Sequence, residues 1–71
     1  MKKKINLPDI VLDAFIYGKK IKGVNWPNYL WAIPIKLLDD GFIAKISNSK
    51  IDTFLAYNGV DFWCLFEKKI S

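Results

Sequence analysis

Three dipeptides suited to tight turns, Asp40-Gly41, Asn48-Ser49 and Asn58-Gly59, follow one another at intervals of 8 and 10 residues. That spacing constrains the fold more than any other feature of the chain. Asn-Gly and Asp-Gly favour the positive φ angles of two-residue hairpin turns, which oblige the flanking segments to pair antiparallel. The runs between them are short and rich in Ile, Phe, Leu and Tyr, side chains that suit a pleated, half-buried surface. The C-terminal half therefore reads as a four-stranded antiparallel β-meander over about 30–38, 42–47, 50–57 and 60–67.

Pairing across Asn58-Gly59 sets Tyr57 against Val60, Leu55 against Phe62, Phe54 against Trp63 and Lys50 against Glu67. Across Asn48-Ser49, Ile46 meets Ile51, Lys45 meets Asp52 and Ile43 meets Phe54. The opposite-charge pairs support both registers. A two-residue turn at Asp40-Gly41 sets Leu38 against Ile43 and Ile35 against Ile46, but also Lys36 against Lys45, a like-charge contact. A three-residue turn, Asp39-Asp40-Gly41, would relieve that contact and slip the register by one. Alternation then gives a core face running from Ile33, Ile35 and Leu37 through Phe42, Ala44 and Ile46 to Ile51, Leu55, Tyr57, Val60, Phe62, Cys64 and Phe66. The other face is charged, and a stripe of Leu38, Ile43, Phe54 and Trp63 crosses it.

A face so apolar needs a cover. Pro8 and Asp9 suit a helix start, Gly18 suits the position just past a helix end, and Ile10, Val11, Ala14 and Phe15 would share one side. Against this, Ile10, Leu12, Ala14 and Ile16 alternate as a strand would, with Gly18-Lys19 turning into Lys20–Val24. The expected fold is α+β: the four-stranded meander with one N-terminal helix packed on its core face. The alternative is all-β, a small SH3-like barrel of five to six strands.

Seventy-one residues make one domain, with 52% hydrophobic and 15% aromatic residues to build its core. The lone Cys64 permits no internal disulfide, and Pro8, Asp9 and Asp13 interrupt what would be a signal-peptide apolar region after Met1-Lys2-Lys3-Lys4. A cytoplasmic setting is the expectation, with no membrane span, because no apolar run approaches about 20 residues. The chain has no His and no Gly-rich phosphate loop, which removes imidazole catalysis, His-ligated zinc and nucleotide-loop chemistry. Asp39-Asp40 suits a turn rather than a catalytic pair, and Cys64 has no imidazole to activate it. No catalytic residue, metal site or cofactor is expected, and the protein reads as a non-enzyme.

What remains is binding. The stripe Leu38, Ile43, Phe54 and Trp63 suits a protein-binding platform, and the competing interpretation is a second small core. The segment Asn25-Trp26-Pro27-Asn28-Tyr29-Leu30-Trp31 places aromatics on a loop; Trp26 and Tyr29 suit anchors, unless the Trp rings cap the core. With 11 lysines, no arginine and 7 acidic residues, the chain carries a net charge of +4. Lysines cluster at Lys2, Lys3 and Lys4, at Lys19, Lys20 and Lys22, and at Lys68-Lys69. Beside Trp26 and Tyr29 they could track a single-stranded nucleic acid, although the lack of arginine weakens base readout. The expectation is a protein-binding module of the inhibitor or antagonist type encoded by phages and mobile elements, with a larger protein as partner. Nucleic-acid binding is the alternative, and a homodimer is compatible with either.

Overall fold

A computed structural model describes residues 7–59 and 62–67. The first six residues, Val60, Asp61 and residues 68–71 lie outside them. Chain order gives helix α1 (Asp9–Tyr17), strands β1 (Ile21–Gly23), β2 (Ala32–Leu37), β3 (Gly41–Ile46) and β4 (Thr53–Ala56), one 3-10 turn (Tyr57–Gly59), and β5 (Trp63–Leu65). The strands form one antiparallel sheet in the order β4-β3-β2-β1-β5. The α+β expectation holds, with five strands instead of four.

The helix wins over the hairpin at residues 9–17. The Pro8 carbonyl accepts the Val11 and Leu12 N–H groups, each at 3.1 Å. Pro8 is itself extended and supplies the entry to the helix. At the other end Gly18 sits in the left-handed region, φ 68° and ψ 33°, and the Lys19 N–H closes on the Ala14 carbonyl at 3.0 Å. A side chain at Gly18 would meet open space, so its role is conformational. Val11 and Ala14 are fully buried, and the helix packs on β2, β1 and β5. The Lys20–Val24 segment keeps its strand character as β1.

The β3–β4 ladder has the expected register, with Ile43 opposite Phe54 and Ala44 opposite Thr53. β4 begins later than expected, because Ser47–Asp52 form a wider turn in which Ser49 Oγ bonds the Ile51 N–H and carbonyl, both at 3.1 Å. Ile51 is consequently exposed rather than in the core.

The β2–β3 register differs from both options offered by Asp40-Gly41. Leu37 pairs with Phe42 and Lys36 with Ile43, and the Leu38 N–H donates to the Gly41 carbonyl at 2.8 Å. The turn residues are therefore Asp39 and Asp40. A β-bulge between Pro34 and Lys36 shifts the pairing, so Ala32 meets Ile46 and Ile33 meets Lys45. The Asp39-Asp40 turn, by setting Lys36 opposite Ile43, separates Lys36 from Lys45 and removes the like-charge contact; the bulge lies beyond it and shifts the pairing by one more residue. It also changes which side chains point inward: Ala32, Pro34 and Leu37 face the core, while Ile35 is exposed. Gly41 serves as a contact point. A Cβ there would collide with the Leu55 carbonyl oxygen and lie 2.5 Å from a Phe54 ring atom.

The largest departure is β5. Asn58-Gly59 makes no type I′ hairpin, since neither residue has positive φ. Tyr57–Gly59 instead form the 3-10 turn, and β5 leaves β4 to pair with β1: Ile21 with Leu65, Lys22 with Cys64, Gly23 with Trp63. The expected Phe54–Trp63 and Leu55–Phe62 pairings do not form. Phe62 lies outside, 71% exposed, and Trp63 packs against the core.

The sheet is strongly curled. Two strands separate β3 from β5, so a flat sheet would hold them about 14 Å apart. The Phe42 and Trp63 rings nevertheless meet at 5.3 Å, inclined by 62°. Trp26 reaches Trp63 from the β1–β2 loop at 5.5 Å, edge to face. This arrangement reverses the expected costs of two substitutions. Trp63→Ala should remove about 3–5 kcal/mol, enough to unfold a domain this small, whereas Phe62→Ala should shift the melting temperature by only a few degrees. Paired thermal melts check this, and equal losses would contradict it.

Candidate interaction surface

Tyr57 builds the frame behind the surface. Its N–H donates to the Asp40 carbonyl at 3.1 Å, and its hydroxyl donates to the Leu38 carbonyl at 2.7 Å. Its own carbonyl accepts the Trp63 indole N–H at 3.1 Å. Its ring stacks on Phe42, with centroids 6.0 Å apart and an angle of 22°. One buried residue thus ties the β2–β3 turn, the end of β4 and the start of β5 together. Burial pushes its hydroxyl above the ordinary tyrosine pKa, and the Asp39 and Asp40 carboxylates add to the shift.

On the opposite side of β2–β3–β4, three of the four stripe residues come together. Ile43 and Phe54 are cross-strand partners. The Phe54 ring lies over Gly41, whose carbonyl holds the Leu38 N–H. Leu38 and Phe54 are exposed and Ile43 is half-buried. Lys36, paired with Ile43, borders the patch, and Asp39 and Asp40 stand at its turn end. Trp63 does not join it. It lies on the far edge strand and faces the core, as does the half-buried Trp26. Both belong to the aromatic cluster inside the curl.

Tyr29 is the one ring of the 25–31 loop that stands out, 71% exposed. Its backbone is held by Ser47, whose hydroxyl donates to the Tyr29 carbonyl at 2.9 Å and accepts the Trp31 N–H at 3.0 Å. The loop is therefore anchored to the end of β3.

The lysines expected for nucleic acid are partly engaged within the chain. Lys20 Nζ sits 4.5 Å from the Trp31 ring centroid. Lys19 Nζ lies 3.9 Å from Asp13 and 5.4 Å from the Tyr17 ring, exposed contacts worth little individually. Lys22 is half-buried on β1 opposite Cys64. Lys2, Lys3, Lys4, Lys68 and Lys69 lie outside the described residues. Among the described residues no three acidic or Cys side chains converge on a possible metal position, and no helix is long and apolar enough to cross a membrane.

A second exposed apolar surface escaped the sequence reading. Leu12, Phe15 and Ile16 share the outer side of α1, beside the exposed Tyr17. Phe15, expected on the buried side with Ile10, Val11 and Ala14, is 39% exposed instead, and Leu12 and Ile16 are left over beside it. Apolar residues around most of a helix mean that more than one side needs covering.

Compared with known proteins, the chain matches no family model, no curated protein and no solved structure.

The Tyr57 frame carries a pH dependence. The unfolded tyrosine ionises near pH 10, and the folded state holds the proton more tightly. Stability from this group is therefore complete below about pH 10 and falls as pH rises through the higher folded-state value. Tyr57→Phe should cost about 1 kcal/mol at neutral pH and flatten the alkaline decline. Denaturant titrations of both proteins from about pH 8 to 11.5 test it; parallel pH profiles would count against the Tyr57 assignment.

Proposed function

We propose that this protein is a small non-enzymatic module that binds a larger protein through the outer face of β2, β3 and β4, with Phe54 as its anchor. The supporting observation is the Leu38, Ile43 and Phe54 patch, which stays partly in solvent while the other side of the same strands packs into the core around Phe42 and Tyr57. Apolar and aromatic residues on a stiff sheet lose little conformational freedom on binding, which favours affinity from a small area. The curled five-stranded sheet fits a small SH3-like barrel carrying an additional N-terminal helix. A cytoplasmic antagonist of the kind encoded by phages and mobile elements needs only such a rigid, self-contained surface. Trp63 and Trp26 support the platform from behind, and Tyr29 is a secondary contact.

The alternative, single-stranded nucleic-acid binding by Lys2, Lys3, Lys4, Lys19, Lys20 and Lys22, rests on charge. The contacts of Lys19 and Lys20 with Asp13, Tyr17 and Trp31 do not favour it over a protein partner.

Affinity capture from source-cell extract separates the two. The wild-type chain should retain a stoichiometric protein partner at about 0.5 M salt, where phosphate contacts are strongly weakened. Phe54→Ala should release that partner while keeping its melting temperature within a few degrees, and Phe62→Ala should retain it. Salt-sensitive quenching of Trp fluorescence by oligonucleotides, with no salt-resistant protein partner, would overturn the proposal.

A further inference from the structure

The outer side of α1 is a separate surface, and its pattern is self-complementary. Leu12 and Ile16 lie two positions either side of Ala14, and Asp9 and Lys19 lie five positions either side of it. Under a two-fold axis that sets two copies of α1 antiparallel over this point, Leu12 faces Ile16 of the second copy. Asp9 then stands at the level of Lys19 of the second copy. An isologous interface requires such a pattern, each residue finding its complement at the mirrored position of an identical surface. We propose that α1 is a homodimerisation surface, in which two copies of this chain pair antiparallel through Leu12, Phe15 and Ile16 with Asp9–Lys19 ion pairs at both ends.

Three observations support a second copy as the occupant. Ile16 is 60% exposed and Leu12 and Phe15 more than a third, although Val11 and Ala14 on the inner side are fully buried. Of the two acidic residues of α1, Asp9 lies at its start and Asp13 one position from the axis, at the level of Phe15 of the second copy, and Lys19 lies just past the helix end; antiparallel pairing therefore matches Asp9 with Lys19 at both ends, while parallel pairing opposes like charges there. Lys19 is available for this, because its present contact with Asp13 is a long, exposed 3.9 Å pair. The size of the surface sets the strength. A 9-residue helix is about 13.5 Å long, and such a pair buries well under the roughly 1,600 Å² of a standard interface. The dimer is accordingly weak, forming at about 100 µM and above. This surface is distinct from the sheet patch, so a dimer would display two partner-binding faces.

Sedimentation equilibrium of the full chain from about 10 µM to 1 mM tests the proposal, together with three variants. The wild-type mass should rise from one chain towards two. Ile16→Asp should keep the mass of one chain throughout, with an unchanged melting curve. Asp9→Lys should weaken association about tenfold, and adding Lys19→Asp to it should restore association. A wild-type mass of one chain at 1 mM, or a dimer indifferent to Ile16→Asp, would overturn the surface. A double charge reversal that fails to rescue would overturn the antiparallel arrangement. None of these results bears on Phe54, so the two proposals fail separately.

Discussion

The hydrogen bonds around Tyr57 are the constraint on which the rest of the structure depends. This residue ends β4 where the sequence invites a simple hairpin, and three contacts redirect the chain. The backbone N–H is committed to Asp40, the hydroxyl to Leu38, and the carbonyl to the Trp63 indole. Together they draw the chain into a 3-10 turn and send β5 across to β1. Because the hydroxyl and the indole N–H are both satisfied, these large side chains can be buried without leaving a polar atom unpaired. The buried ring then stacks on Phe42, and Phe42 in turn meets Trp63.

A chain this small has little interior, and it fills that interior with aromatic rings. Phe42, Tyr57, Trp63 and Trp26 bridge strands that a flat sheet would keep apart. Small residues at Ala14, Ala32 and Ala44 make room for them, all fully buried. The helix closes the side lined by β1, β2 and β5. With the inside filled, exposed apolar residues group on the outer sheet at Leu38 and Phe54 and on the outer helix at Leu12, Phe15 and Ile16, while Val24, Tyr29, Ile51, Phe62 and Leu65 stand elsewhere on the surface.

Much of the architecture was legible from local signals. Pro8, Asp9 and Gly18 marked the ends of α1 because their conformational preferences act within a few residues. The β3–β4 register followed from Ile43 and Phe54, since a single turn separates the two strands and alternation settles the faces. The Leu38, Ile43 and Phe54 part of the candidate surface was legible for the same reason. Trp63 was misplaced because its expected neighbours depended on a hairpin at Asn58-Gly59. The Ile35 bulge was hidden as well; the like-charge contact of Lys36 and Lys45 pointed to a shifted turn, and the shift falls at Asp39-Asp40 rather than at Asp39-Asp40-Gly41. The outer face of α1 was overlooked because Ile10, Leu12, Ala14 and Ile16 also fit the period of a strand.

The sequence by itself determined the antiparallel character of the sheet, the places where a helix over residues 9–17 could start and stop, and the lack of His and of a Gly-rich phosphate loop. These follow from backbone preferences and residue inventory, which need no distant partner. The tertiary structure alone decided where β5 pairs, which way Trp63 and Phe62 point, and how far the sheet curls. Those outcomes depend on Tyr57 reaching Leu38 and Asp40, residues 19 and 17 positions earlier. A dipeptide's turn preference is a local energy, and several buried hydrogen bonds with a shared aromatic core outweigh it.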